Sequence, residues 1–325
     1  MMQQHYNAQI EHWPIRGNFV ISRETKTESV VVTVCLERNG QTGCGECVPL
    51  KRYKQTPEGE LDKINAWLAQ HDIWDRQILM ETMPACPARF ALDTAMWQLE
   101  AAEQNKTLWQ MVGFDACPVS VPTAFTLSGA APEIMAERAA ERAEFRWIKL
   151  KLMGDGLDQA RLSAVHDAVP HADLIVDANE GLTDIALQRL IPVLQACNVV
   201  LIEQPLPEGQ DDVLHDLQTS IPLAADESCH TMDDLEHLHG KYQVVNLKLD
   251  KTGGLTHALA MKKRALEMGF KVMIGCMAST SLSILPGFLL AQNAAFTDLD
   301  GALLLEKDRD DAKLVYRDGY VSLIE

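Results

Sequence analysis

Residues 147–152 read WIKLKL, and the placement of this run decides the fold of the chain. Side chains alternate between the two faces of a strand, so Ile148, Leu150 and Leu152 share one face and Lys149 and Lys151 share the other. With the apolar face against neighbouring helices, both ammonium groups point into the interior. Burying charge without partners is costly, so this pair of lysines asks for anionic company and marks a site rather than a structural filler.

Further along, short apolar runs alternate with amphipathic helical segments. The strand candidates are VSVPTAF, RWIKLKL, DLIVDA, VVLIEQP, IPLAADE, VVNLKLD, KVMIGC and FTDLD. Most end on a polar residue or a glycine: Lys151, Asp177, Glu203, Asp226, Lys248, Gly275 and Asp298, at steps of 22 to 27 residues. That step is about one compact βα unit, and eight such strands predict a parallel barrel. A doubly wound open sheet is the competing architecture, but it seldom sets a polar residue at so many strand ends.

Before residue 119 the rhythm differs. SVVVTVCLER, residues 29–38, is strand-like, Gly40, Gly43 and Gly45 suggest a hairpin, and helical periodicity follows Pro57. After Gly301, AKLVYRDGYVSLI reads as a hairpin around Asp318-Gly319. The expected organisation is an α+β capping domain over 1–118, a TIM-type barrel over 119–300 and a segment over 301–325 that packs back on the cap. In class terms this is α/β, a (β/α)8-type barrel, and the family resemblance given below implies its modified (β/α)7β form.

The net charge of −17 argues against nucleic-acid and membrane partners, which favour a basic face. No secretory leader is recognisable at the amino terminus, and the longest apolar stretch, 284–296, is short and interrupted. The eight cysteines are scattered, as expected of a reduced cytoplasmic protein. Cys44 and Cys47 form a lone C-x-x-C with no second pair to complete a zinc site.

The acidic strand ends carry the chemistry. Asp177, Glu203 and Asp226 close three successive strands, and carboxylates gathered at one rim repel unless a cation binds them. Hard oxygen ligands suit Mg²⁺, with Mn²⁺ as an alternative. In VNLKL, residues 245–249, Asn246, Lys248 and Asp250 lie on one face, about four units round the barrel from Lys151, hence on the opposite wall. A divalent ion beside a carboxylate stabilises the enediolate formed when the neighbouring carbon loses its proton. A lysine on each side can then remove one proton and return another from the opposite face. Repulsion from Lys149 is expected to depress Lys151 and make it a usable base.

Together these residues resemble the enolase superfamily, in its muconate-lactonizing subgroup: Lys149-Leu150-Lys151, then Asp177, Glu203 and Asp226, then Lys248. The segments IVDANE, EQPLP, ADESCHT, VNLKLDKTGGLT and DLDG are most similar to L-Ala-D/L-Glu epimerases. The resemblance implies Lys151 and Lys248 as catalytic bases and Asp177, Glu203 and Asp226 as metal ligands. It also implies Asp298 and Asp300 as the site for a dipeptide's amino terminus, and Arg23 on the cap for a side-chain carboxylate. Lys149 and Thr126 complete the expected substrate-binding set. The implied partner is a small dipeptide, and a homo-oligomer is compatible with the sequence. Leu50-Lys51-Arg52-Tyr53-Lys54 and GCMAST depart from the family pattern, which leaves the second residue of the dipeptide open. N-acylamino acid racemase, o-succinylbenzoate synthase and muconate-type cycloisomerase activities use a similar site, but their substrates offer no ammonium to Asp298 and Asp300. A barrel that only binds a metabolite is the non-enzymatic alternative.

Overall fold

A computed structural model describes residues 4–21 and 24–324. The chain opens with an antiparallel sheet of β1 (Gln4–Ile21), β2 (Glu24–Arg38) and β3 (Gln41–Cys47), followed by α1 (Pro57–Gln70), α2 (Arg76–Thr82), α3 (Pro87–Glu103) and α4 (Leu108–Val112). Thr56 and Asp75 cap α1 and α2 by accepting a main-chain N–H one turn in. Val32, Val34 and Leu36 of β2 are fully buried beneath α3.

Of the three glycines expected to form the hairpin, only Gly40 does so, behind Asn39, both at positive φ. Gly43 and Gly45 lie inside β3, where a Cβ would come within 2.2 Å of Ala95 O and 1.9 Å of Ala91 O. Their role is to let the α3 backbone lie directly on the strand.

The expectation of fully reduced cysteines is also corrected. Cys35 and Cys44 stand opposite each other in the β2–β3 register, with Cα atoms 4.1 Å apart, and form a disulfide. Cys47, the other half of the C-x-x-C, is three residues along, buried and unpaired.

The barrel follows: β4 (Val121–Pro122), β5 (Ala124–Leu127), α5 (Pro132–Ala140), β6 (Trp147–Lys151), α6 (Asp158–Ala168), β7 (Asp173–Asp177) and α7 (Asp184–Ala196). Then come β8 (Val199–Glu203), β9 (Leu223–Ala225), α8 (Leu235–Leu238), β10 (Val244–Lys248), α9 (Leu249–Thr252), α10 (Leu255–Glu267), β11 (Lys271–Gly275), α11 (Ser281–Leu290) and β12 (Phe296–Asp298). β5 to β12 form an eight-stranded parallel sheet in sequence order. At the seam Leu299 donates its N–H to Thr123 Oγ1 at 2.8 Å, and Thr297 Oγ1 donates to Pro122 O at 2.5 Å.

Alternation sorts the strand residues as expected. Ile148 and Leu150 join the large core under the helices. Ala124, Trp147, Ile175, Leu201, Ala224, Val244 and Met273 form a separate apolar plug inside the barrel. Two residues above each plug position stand Thr126, Lys149, Asp177, Glu203, Asp226, Asn246 and Gly275, so the same period that fills the floor with apolar groups turns polar groups into the mouth.

Several contacts fix the cap on this barrel, and two come from α3. Arg89, buried in α3, donates to the carbonyls of Thr252 and Gly253 at 2.8 Å each, and Asp93 accepts the Thr256 N–H at 3.0 Å and hydroxyl at 2.6 Å, capping α10. Beyond β12, Leu305 bridges Ile15 of the cap and Arg309 pairs with Glu11 and Glu46, each at 2.6 Å. The last hairpin, β13 (Leu314–Arg317) and β14 (Tyr320–Leu323), pairs instead with β4 at the entry to the barrel. Among the described residues no helix is long and apolar enough to cross a membrane.

Candidate active site

The carboxyl ends of the strands open into a cavity of about 130 Å³, roofed by Phe19, Ile21, Glu24 and Lys26 of the first hairpin and by Leu50 to Tyr53 of the cap. Thr126, Lys149, Lys151, Asp226, Lys248, Asp298 and Asp300 line its floor and walls. Arg23 lies outside the described residues.

Lys149 is central. Its ammonium lies 2.6 Å from Glu203 Oε2, 2.7 Å from Asp298 Oδ2 and 3.2 Å from Asp177 Oδ2. Burial opposes its charge, but Asp298, Glu203 and Asp177 outweigh burial and hold Lys149 well above the usual lysine range. Three carboxylates thus absorb the charge of Lys149. Lys151 sits 2.6 Å from Asp177 Oδ2 on one wall, and Lys248 sits 2.7 Å from Asp226 Oδ2 on the other. Lys248 is likewise raised, with burial overcome by Asp226 and Glu203.

The carboxylates divide according to their partners. Asp177 is held below the ordinary range because Lys151 and Lys149 override its burial. Asp226 is low because Lys248 and Lys251 do the same. Glu203 lies between them and is pushed up to about 7 by burial and by Asp177. Its Oε1 accepts from Asn246 Nδ2 at 2.9 Å, whereas buried Oε2 has no well-directed hydrogen bond despite the nearby ammonium.

Asp177, Glu203 and Asp226 present hard oxygens at the ends of three adjacent strands, a donor set whose chemistry suits a divalent cation. Among the described residues no three carboxylates close around one point by themselves; ammonium groups hold them together instead.

At the seam, Asp300 accepts the Thr126 N–H at 2.6 Å, and Thr126 Oγ1 lies 3.4 Å from Asp298 Oδ1. Burial and the neighbouring Asp298 push Asp300 up to about 7. Of these two neighbouring buried carboxylates only Asp298 contacts a lysine, so the pair retains capacity for a further cation.

One expected position is corrected. Asp250 does not share the face of Lys248: β10 ends at Lys248, the backbone turns into α9, and the Asp250 carboxylate accepts the Val48 N–H of the cap at 2.7 Å. Lys251 from that same turn enters the site, which strand periodicity cannot anticipate. Gly275 is where it is for space: a Cβ there would lie 2.7 Å from Asn246 Oδ1 and 2.9 Å from Lys248 Cε. Tyr53, also unanticipated, places its hydroxyl 3.0 Å from His230 Nε2 and ties the cap loop to the barrel.

The chain is 41% identical over 286 residues to the N-acetyl-D-glutamate racemase of a Pseudoalteromonas species, covering 87% of this chain and 90% of that protein. It is 40% identical over 305 residues to the L-Ala-D/L-Glu epimerase of Escherichia coli K12, covering 93% and 94%. A crystal structure of an Agrobacterium tumefaciens enolase family member with homology to dipeptide epimerases, containing sodium and L-Ala-L-Glu, superposes with a TM-score of 0.95 at 41% identity, covering 99% and 98% of the two chains. Residues 6–113 match the mandelate racemase/muconate lactonizing enzyme N-terminal domain and residues 134–325 the enolase C-terminal domain-like family. Cap, barrel and the strand-end lysines and acids thus have one common explanation: the chain belongs to the enolase superfamily, in the mandelate racemase/muconate lactonizing enzyme group.

Proposed function

We propose that this protein is a Mg²⁺-dependent dipeptide epimerase of the L-Ala-D/L-Glu type, an isomerase that inverts the α-carbon of the C-terminal residue. The observation that carries the reading is the placement of Lys151 and Lys248, four strands apart in an eight-stranded barrel and flanking the cluster of Asp177, Glu203 and Asp226 from opposite walls. Asp177, Glu203 and Asp226 would hold the divalent cation, which would supply positive charge beside a substrate carboxylate and so lower the cost of removing the neighbouring proton. Lys149 adds a fixed positive charge beside the same group. One lysine, neutral, takes the α-proton and becomes an ammonium; the opposite lysine, as ammonium, gives a proton to the other face. No proton is gained or lost overall, and the configuration inverts.

Asp298 and Asp300 support a substrate with a free amino terminus. A second reading, racemisation of an N-acylated amino acid, is favoured by the similarity to the N-acetyl-D-glutamate racemase, but an acyl amide offers these acids no cation. A D₂O assay separates the two. L,L-dipeptides should incorporate deuterium at the C-terminal α-carbon, and N-acetylation should sharply reduce kcat/KM. Equal turnover of N-acetylated amino acids would replace the dipeptide reading with the racemase one. A cytoplasmic setting with neither nucleic acid nor membrane goes with the acidic composition, although the Cys35–Cys44 disulfide pulls the other way.

A further inference from the structure

Lys251 has no part in the proton transfers above, yet it is a fourth buried lysine at the site. Its side chain is only 3% exposed, and its ammonium contacts Asp226 Oδ1 at 2.6 Å, the Asp226 carbonyl, and the Asn246 carbonyl at 3.4 Å. An ammonium has three donors, and here all three find acceptors.

The location is specific. β9 and β10 pair only through Ala224–Val244 and Ala225–Val245. Just above that ladder the backbone reaches Asp226 and Asn246, and Lys251 joins their carbonyls. It also holds one oxygen of Asp226 while Lys248 holds the other, at 2.7 Å on Oδ2.

We infer that Lys251 is a positioning residue: by fixing Asp226 through its outer oxygen and main chain, it prevents that carboxylate from turning both oxygens onto Lys248, and so keeps Lys248 available to exchange the substrate's proton. This rests on the dipeptide-epimerase reading for its catalytic consequence. Its effect is one-sided, because Lys151 is held by Asp177, which Lys251 does not touch.

The test compares wild type, Lys251→Met and Lys251→Gln, with Lys248→Ala used to identify the isomer whose proton Lys248 exchanges. In Lys251→Met, deuterium exchange of that isomer should fall roughly 100-fold relative to exchange of the other, as expected for a misplaced base. Lys251→Gln retains two donors, and its deficit should be smaller, within roughly tenfold of wild type. If Lys251→Met does not fold, Lys251→Gln carries the same comparison, and its loss should still fall on the Lys248 isomer. A crystal structure of the metal-free variant should show Asp226 turned toward Lys248. Equal losses for both isomers, no loss, or an unmoved Asp226 would each overturn the inference. Wild-type protein that exchanges neither dipeptide isomer would overturn the dipeptide reading instead, leaving the crystallographic arm to decide the role of Lys251.

Discussion

Asp298 and Lys149 form a buried ion pair 2.7 Å long across the mouth of the barrel, so the first carboxylate of the D-x-D is already matched by a charge of the protein itself. Asp300, beyond Lys149's direct reach, is the better placed of the two to receive an incoming ammonium. Asp300→Asn should lower kcat/KM for free dipeptides by about 30-fold or more, corresponding to roughly 2 kcal/mol for losing one partner of a buried charge pair. The same variant should leave any residual turnover of an N-acetylated dipeptide almost unchanged. A similar loss for both substrates in steady-state assays would place the amino terminus elsewhere.

Asp300 also sets a pH limb. It is pushed up to about 7 by burial and by Asp298, and only its ionised form attracts an ammonium. As pH falls through about 7 the carboxyl gains a proton, and kcat/KM for free dipeptides should fall toward tenfold per pH unit. In Asp300→Asn that limb should disappear from the pH profile of kcat/KM.

Lys151→Ala and Lys248→Ala should each abolish epimerisation, read by polarimetry or chiral chromatography. Each should still wash the α-proton out of one isomer in D₂O, a different isomer for each variant. Near wild-type inversion by Lys248→Ala would show that a single base, or another residue, does the work.

Chelation should abolish turnover without unfolding the chain. The ammonium groups of Lys149, Lys151 and Lys248 already counter the three acids, and the apolar cores lie below and outside them. Circular dichroism should therefore show a folded protein in EDTA, with activity returning on addition of Mg²⁺.

Asp93, which does not line the cavity, offers a test of stability. Burial raises its carboxyl to about 6, with the Thr256 hydrogen bonds moderating the rise. An unfolded aspartate titrates near ~3.9, so the folded chain binds this proton more tightly. The contribution is fully present below that unfolded value and is lost as pH rises through about 6. Urea melts of wild type minus Asp93→Asn should drift by about 3 kcal/mol between these limits, stability of the wild type falling as pH rises.

Much of the site was legible because a strand has only two faces. The WIKLKL run, three acids at successive strand ends and Lys248 each follow from period two and a regular βα step. Legibility stopped where the backbone leaves the strand. Asp250 and Lys251 continue the sequence of β10 but belong to a turn, so Asp250 turns to the cap against expectation, and Lys251, for which no role was expected, enters the site. The Cys35–Cys44 pair depends on a hairpin register that composition does not contain. The company of Lys149 was not legible in its own strand for a different reason: the three acids around it come from β7, β8 and the end of β12, and no spacing along one strand shows which distant groups a barrel brings together.

The grip of α3 on the segment after β10 has a consequence for redesign. Arg89 and Asp93 hold residues 252–256, a few positions beyond Lys248, so the cap is bolted to the stretch of chain that delivers one of the two bases. Transplanting a foreign cap to change substrate choice would disturb proton transfer unless the recipient kept this fastening. Grafting only the strand ends at 19–21 and 24–26 and the turn at 50–54 leaves it untouched, and these short segments of the cavity roof are the natural unit for recombination.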